Sequence, residues 1–347
     1  MASKRVKYSL AIIKVLISAT ILWYLFSNAQ SEGQIEALQT GQKQWTWFLV
    51  AIVLCFAFHA VGLVRWYLVA HAMELPLKLK DAIRIGFVGQ FFGLVAFGVV
   101  GGDAIRAYYA CDGKKRQIGK AVASVFFDRA IGLLAMMFFA GAGYFLTDWA
   151  GLSSSESPKM VAGLKTASLL LLVVSTLGFA TVGIAMVVSE RLLMRGYELA
   201  VRVPFVGGLL GNFVKAVRSL RGKRSVVVLS VILSFVVNLL IIANIFSVAK
   251  FVGGNHPGLL DHCLISPLAM IANSLPLPGG IGGMEAVLAF QYQALTQSVE
   301  GGDSGEVVGF IFRFVLLLIS AVGGIVWLTM NAHDRSVIQQ AQDSDSK

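Results

Sequence analysis

The chain has 347 residues, 56% of them apolar and only 14% charged, and its mean hydropathy is +0.75. A typical soluble domain is about 25% charged, and so few polar side chains cannot coat a globule of this length, so the composition excludes a soluble protein and points to an integral membrane one. The net charge of +10, from 29 Lys and Arg against 19 Asp and Glu, then implies a cytoplasmic face before it implies nucleic acid, and no nucleic-acid partner is expected.

A helix that crosses the hydrocarbon needs about 20 mostly apolar residues. The first such stretch, Tyr8–Phe26, follows Lys4, Arg5 and Lys7. Ser27-Asn28-Ala29 behind it looks like a signal cleavage site, but the apolar run is long for a signal peptide and carries Lys14, so it is read as a retained anchor. Trp45–Val69 is the second span, and its Arg65 lies close enough to the end to snorkel toward water. Ile85–Val100 is too short for a full span and contains Gly86, Gly89, Gly93 and Gly98, with Gly101 and Gly102 directly after. Val122–Leu146 and Val161–Val188 are full spans, separated from Val226–Ala249 by the basic loop 189–225. Within that loop Leu210, Phe213, Val214 and Val217 recur at helical spacing with Lys215, Arg218 and Arg221 elsewhere around the helix. That pattern fits an interfacial amphipathic helix or a basic loop with incidental helicity.

Cys263–Val299 is apolar but interrupted by Pro276, Pro278, Gly279, Gly280, Gly282 and Gly283. Proline removes a helix donor, and glycine costs about 1 kcal/mol in a helix interior, so the helix breaks here. Backbone that is not helical survives at membrane depth only inside protein or beside a water-filled cavity. Both interrupted stretches, about 85–101 and 263–299, therefore read as re-entrant elements that line something. Val307–Met330 is the last span, and 336–347 is a polar tail. The expected fold is an all-α polytopic bundle, six full spans plus two opposed re-entrant elements, in one domain covering 1–335.

Charge sets the expected topology. With both termini cytoplasmic and both broken elements returning to the side they came from, 21 basic residues fall inside and 4 outside. A full crossing by 85–100 would instead put Arg106, Lys114, Lys115, Arg116 and Lys120 outside. The cytoplasmic face then carries +12, the outer face −4 and the embedded remainder +2. An opposed pair of broken helices is also the arrangement of transporters with inverted repeats.

Ionisable side chains within the bilayer are functional candidates by default. Asp128 and Arg129 open the third span; adjacent residues point about 100° apart, so they need not pair with each other. Arg129 is suited to hold an anion such as a lipid phosphate, or to make a structural ion pair. Asp103 and Arg106, three residues apart, share a helix face; Asp103 also suits an N-cap. Glu285 opens the second half of the outer broken element, where it either complements a helix dipole or acts as a gate or proton carrier. Arg313 is a buried cation near the outer start of its span. His59, Asn238, Asn244 and Asn273 read as interhelical hydrogen bonders. Cys55, Cys111 and Cys263 are far apart, and there is no HExxH, GxSxG, Walker or spaced Cys/His pattern, so no metal, cofactor or catalytic residue is expected.

Three motifs occur in order: Gly102-Asp103-Ala104-x-Arg106-Ala107, Phe127-Asp128-Arg129 with Ile131-Gly132, and Pro276-x-Pro278-Gly-Gly-Ile-Gly282-x-x-Glu285. Together they resemble the lysylphosphatidylglycerol synthase transmembrane-region family, also described as flippase-like domain proteins, over roughly residues 8–330. The larger synthases of that family add a cytoplasmic domain that transfers lysine from aminoacyl-tRNA to phosphatidylglycerol. No such domain follows the last span here, so the resemblance implies the membrane domain's task and no enzyme activity: movement of a lipid with an anionic or phosphate headgroup between leaflets of the plasma (inner) membrane. It places the family's charged positions on Asp103, Arg106, Asp128, Arg129 and Glu285, to which burial adds Arg313 and Arg65. A secondary transporter of a small soluble anion, and an accessory subunit or enzyme of lipid-linked glycan or aminoacyl-lipid metabolism, are the alternatives; a homo-oligomer is compatible with the sequence.

Overall fold

The computed structural model describes residues 44–93, 98–111, 117–149, 158–201, 207–254, 256–274, 282–295 and 305–330, with Trp23 and Ser27. In chain order these residues form α1 (Trp45–Ala72), α2 (Leu79–Phe92), α3 (Gly98–Ala110), α4 (Ile118–Leu146), α5 (Pro158–Val187), α6 (Glu190–Val201), α7 (Gly207–Leu220), α8 (Arg224–Val252), α9 (His262–Asn273), α10 (Gly283–Leu295) and α11 (Gly305–Leu328). No strand occurs among the described residues. The fold is all-α and polytopic, as expected. Helices α1, α4, α5, α8 and α11 are long and apolar enough to cross a membrane. Even the shortest, with 24 residues, extends about 36 Å at about 1.5 Å per residue, more than the roughly 30 Å of hydrocarbon. They cover the second to sixth expected spans, while the expected first span, Tyr8–Phe26, lies outside the described residues except for Trp23.

Leucine, valine and isoleucine cover the outer faces, as at Leu49, Val53, Leu170, Leu177 and Ile184. Lipid tails are as apolar as these side chains, so close packing and polar contacts hold the helices together. Helices α1 and α8 run antiparallel: Asn244 of α8 donates to the Ala51 carbonyl near one end, and Arg65 of α1 donates to Ser234 nearer the other. Glycine permits the closest approaches. A Cβ on Gly305 would lie 2.8 Å from the Ala289 Cα, and one on Gly309 would lie 3.1 Å from the Glu285 Cα, so this Gly-xxx-Gly pair seats α10 against α11.

The basic segments share one end of the bundle. Lys223 donates to the Ala72 carbonyl at 2.7 Å, Lys120 pairs with Glu74 at 3.1 Å, and Glu190 pairs with Arg218 and Arg221. The opposite end is aromatic: Trp45 packs on Phe251, Phe246 on His262, and Lys165 over Trp149. The expectation of a lipid-facing helix around 210–217 is corrected for its described side chains. Ala216, Val217 and Leu220 of α7 are fully buried and Phe213 stacks on Phe127 of α4, because this apolar face has a protein neighbour to cover it.

The two interrupted stretches form helix pairs that fold back on themselves. In the first, Gly89 of α2 meets Gly102 of α3 and Arg106 reaches the Gly86 carbonyl, so the arms are antiparallel. Leu77 before α2 and Ala110 and Cys111 at the end of α3 share a cluster with Ala70 and Ala121 near the basic end. In the second, His262 at the start of α9 bonds the Tyr292 hydroxyl near the end of α10 at 3.0 Å, and His262 sits at the aromatic end. One expected break is misplaced. Gly101 and Gly102 lie inside α3, which begins at Gly98, while α2 ends at Phe92. Gly102 serves packing instead, because a Cβ there would collide with the Gly89 carbonyl. Pro276, Pro278, Gly279 and Gly280 lie outside the described residues.

Candidate functional site

A cavity of about 390 Å³ lies where the inner ends of the two helix pairs approach each other. Gly89, Gln90 and Gly93 of the first pair face it together with Gly102, Asp103 and Arg106; Met270, Asn273 and Ser274 reach it from the second. Its walls are His59, Gly62 and Arg65 of α1, Asp128, Arg129 and Gly132 of α4, Asn238 and Ile241 of α8, and Leu316 of α11. The volume falls within the roughly 300–1,000 Å³ of small-molecule sites.

Polar side chains reach this cavity because each helix carries them at helical spacing. His59, Gly62 and Arg65 follow one another at intervals of three, Ser230, Ser234 and Asn238 at intervals of four, and Ser124, Asp128 and Gly132 likewise. Each set occupies one stripe of an otherwise apolar helix. Packing turns the stripes of α1, α4 and α8 toward a common space. Gly132 is required there, since a Cβ would sit 3.1 Å from an Arg65 guanidinium nitrogen.

The charges make an asymmetric network. Arg65 forks onto Asp128, Nε to Oδ1 at 2.7 Å and Nη2 to Oδ2 at 3.2 Å, and its Nη1 donates to Ser234 Oγ at 2.7 Å. Arg129 forks onto Asp103 at 2.8 and 2.7 Å, joining α4 to α3. Asp103 thereby has both oxygens engaged, and Arg106 on its own helix comes no nearer than 3.6 Å. Arg106 is 8% exposed, its Nη2 is 3.4 Å from the Gly86 carbonyl, its guanidinium lies 5.9 Å from the Trp66 ring, and its Nε has no hydrogen-bond partner. Three arginines against two aspartates leave the described lining at +1, counted with an uncharged His59, whose Nδ1 is 2.8 Å from the Cys55 carbonyl. A buried charge without a partner is costly, so this site favours an anion.

The sequence-nominated residues divide into two groups. Asp103, Arg106, Asp128 and Arg129 come together at the cavity. Asp103 is interior to α3 and pairs with arginines, so the N-cap reading is corrected. Glu285 and Arg313 form a separate buried pair, Nε to Oε1 at 2.7 Å and Nη2 to Oε2 at 3.2 Å, and neither is among the described cavity-lining residues. Glu285 Oε2 also accepts the Gly282 N–H at 2.9 Å, which makes Glu285 the third-position half of a capping box on α10. Gly282 adopts φ +91°, where glycine alone is unstrained. Sequence reasoning counted Arg65 among the buried cations while allowing it to snorkel, and read His59, Asn238 and Asn273 as interhelical hydrogen bonders. All four line the cavity, and Asn238 donates only to Ser234 of its own helix. The signals for Arg65 and Asn238 were the stripes just described.

A family model described as lysylphosphatidylglycerol synthase TM region matches residues 11–324. The chain belongs to this family. The span matched to the lysylphosphatidylglycerol synthase TM region includes both helix pairs and every charged residue of the described cavity lining. A UPF0104 membrane protein of Methanothermobacter thermautotrophicus is similar, 24% identical over 301 residues that cover 84% of this chain and 87% of the relative. No solved structure matches the chain. Membrane-crossing helices and a membrane family agree that this is an integral membrane protein.

Proposed function

We propose that this protein moves a lipid with an anionic, phosphate-bearing headgroup between membrane leaflets, with the headgroup in the cavity and the tails in the surrounding lipid. The observation that carries the reading is Arg106, a buried guanidinium with an unpartnered Nε and with both oxygens of its nearest carboxylate held by Arg129. A phosphate matches the guanidinium fork as well as a carboxylate does. It satisfies Arg106 and competes with Asp103 for Arg129, whose side chain is 45% exposed. That competition couples occupancy to the contact between α3 and α4. No step of this reading involves catalysis. The basic end is assigned to the cytoplasmic face of the plasma (inner) membrane, following the bias of Lys and Arg toward the inside.

The test uses proteoliposomes with a tail-labelled anionic phospholipid in both leaflets and a membrane-impermeant quencher outside. Active protein exposes nearly all of the label, whereas protein-free vesicles expose half. Arg106→Met and Arg129→Ala should each slow the loss at least tenfold. Unchanged loss with both variants refutes the site. Uptake of soluble phosphate without movement of lipid assigns the cavity to a small anion instead. Single-cysteine labelling at the basic end from the two sides of the membrane checks the orientation.

A further inference from the structure

The chain contains two halves of inverted direction. Helix α1 runs from the aromatic end to the basic end, and the pair α2 and α3 after it folds back to the basic end; α8 runs the opposite way, and α9 and α10 after it fold back to the aromatic end. Each half then closes on a long span, α4 in the first and α11 in the second. The halves pack on each other reciprocally. A Cβ on Gly143 of α4 would lie 2.7 Å from the Leu264 Cβ of α9, and one on Gly323 of α11 would collide with the Phe87 carbonyl of α2. Matched positions meet at the cavity: His59 and Asn238 each lie fourteen residues past the start of α1 and α8, and Gln90 and Asn273 each lie eleven past the start of α2 and α9. The cavity therefore sits on the pseudo-two-fold axis between the halves.

The ion pairs follow the same relation. Asp103, on the second arm of the first pair, forks with Arg129 of the next span, 26 residues on; Glu285, on the second arm of the second pair, forks with Arg313 of the next span, 28 residues on. At about 1.5 Å per residue, Asp103 and Arg129 lie about 10 and 16 Å in from the basic ends of α3 and α4. Glu285 and Arg313 lie about 15 and 12 Å in from the aromatic ends of α10 and α11. What separates the two pairs is exposure: 45% and 18% for the side chains of Arg129 and Asp103, against 9% and 0% for Arg313 and Glu285. Transporters built of inverted repeats alternate by rocking one repeat against the other around a central site. Exchanging the conformations of these halves opens the second pair and closes the first.

We infer that Arg313 is a second anion-binding position, the counterpart of Arg129, which Glu285 masks here and releases when the cavity opens toward the aromatic end. This inference rests on the translocase reading and supplies the position that holds the anion on the far side. Arg106 has no counterpart, since the matching position three residues after the acid is Leu288, so the far position holds the anion more weakly and favours its release.

The test reads one thiol from either side of the membrane. Leu316→Cys puts it on the cavity wall one turn from Arg313, in a chain that also carries Cys55→Ala, Cys111→Ala and Cys263→Ala. Vesicles of phosphatidylcholine and phosphatidylglycerol, prepared in both orientations, are treated with a membrane-impermeant maleimide. The thiol should react from both sides, faster from the basic one. Glu285→Gln should raise the rate from the aromatic side at least fivefold and lower it from the basic side. Arg313→Met, which leaves Glu285 on the Gly282 N–H, should do the same and slow the movement of tail-labelled phosphatidylglycerol at least fivefold. Reaction from the basic side alone overturns the inference even if neither variant assembles. Faster reaction from both sides in the variants shows a structural pair whose loss loosens the bundle, and it also overturns the inference. Lipid movement at the full rate in Arg313→Met overturns Arg313 as an anion position. Reciprocal labelling with no movement of lipid in any protein overturns the translocase reading alone.

Discussion

Replacing Asp128 with Asn removes the carboxylate from the fork on Arg65 while preserving its shape. At the 2.7 Å contact distance and an effective dielectric of about 20, the direct attraction is about 6 kcal/mol before desolvation is subtracted. Both side chains are nearly buried, at 8% and 5% exposure. Removing one partner of such a pair strands the other charge and costs about 3–5 kcal/mol. At about 2.1 cal/mol/K per residue, a 347-residue chain shifts its melting temperature by about 1.4 °C per kcal/mol, so Asp128→Asn should lower it by roughly 4–7 °C. Arg65→Met should produce a similar loss by stranding Asp128. The double variant leaves no stranded charge, so it should recover most of either loss, since removing both members of a buried pair is often near neutral. Intrinsic tryptophan fluorescence during heating in detergent reads all three proteins against the wild type. A double variant that loses the sum of the single losses refutes the pairing, as does an Asp128→Asn protein that melts within about 1 °C of the wild type.

Asp103→Asn should free the Arg129 fork and raise the described lining from +1 to +2, tightening retention of anionic lipid several-fold in native mass spectrometry; weaker retention contradicts the competition argument. Gly102→Val should prevent α2 and α3 from packing, because its Cβ collides with the Gly89 carbonyl, and detergent-extracted protein should elute as aggregate. Gly62→Ala at the cavity wall has open space around its Cβ and should keep or raise the melting temperature, gaining up to about 1 kcal/mol of helix propensity. Glu190→Ala should change stability by less than about 1 kcal/mol despite losing two ion pairs, because its side chain is half exposed. A melting shift above about 5 °C would show that α6 carries more of the fold than its exposure indicates.

The hydrophobic runs located the five long helices to within several residues because span length is a local property of the chain. The broken stretches were legible for the same reason, since proline and glycine act on the backbone where they stand. The break near 101 was misjudged because glycine serves both to interrupt a helix and to let two helices touch. Gly102 does the second, a choice that depends on Gly89 thirteen residues away. Pairing was less legible still. The adjacency of Asp128 and Arg129 ruled out an obligatory mutual pair, but their true partners, Arg65 and Asp103, are 63 and 26 residues away.

By itself the sequence determined that the chain is a helical membrane protein, which five described segments are long and apolar enough to cross, and which few charges have no apolar excuse for their position. These follow from transfer energies and helical periodicity, which act over one or two turns. The tertiary structure decided that Arg65, Arg106 and Arg129 meet two aspartates in one cavity, leaving an excess charge and unpartnered amide oxygens. It also decided that Glu285 and Arg313 neutralise each other elsewhere. Periodicity places a side chain on a face of its own helix, whereas the neighbour that face meets is set by long-range packing, here through glycines that admit a partner helix to within backbone contact.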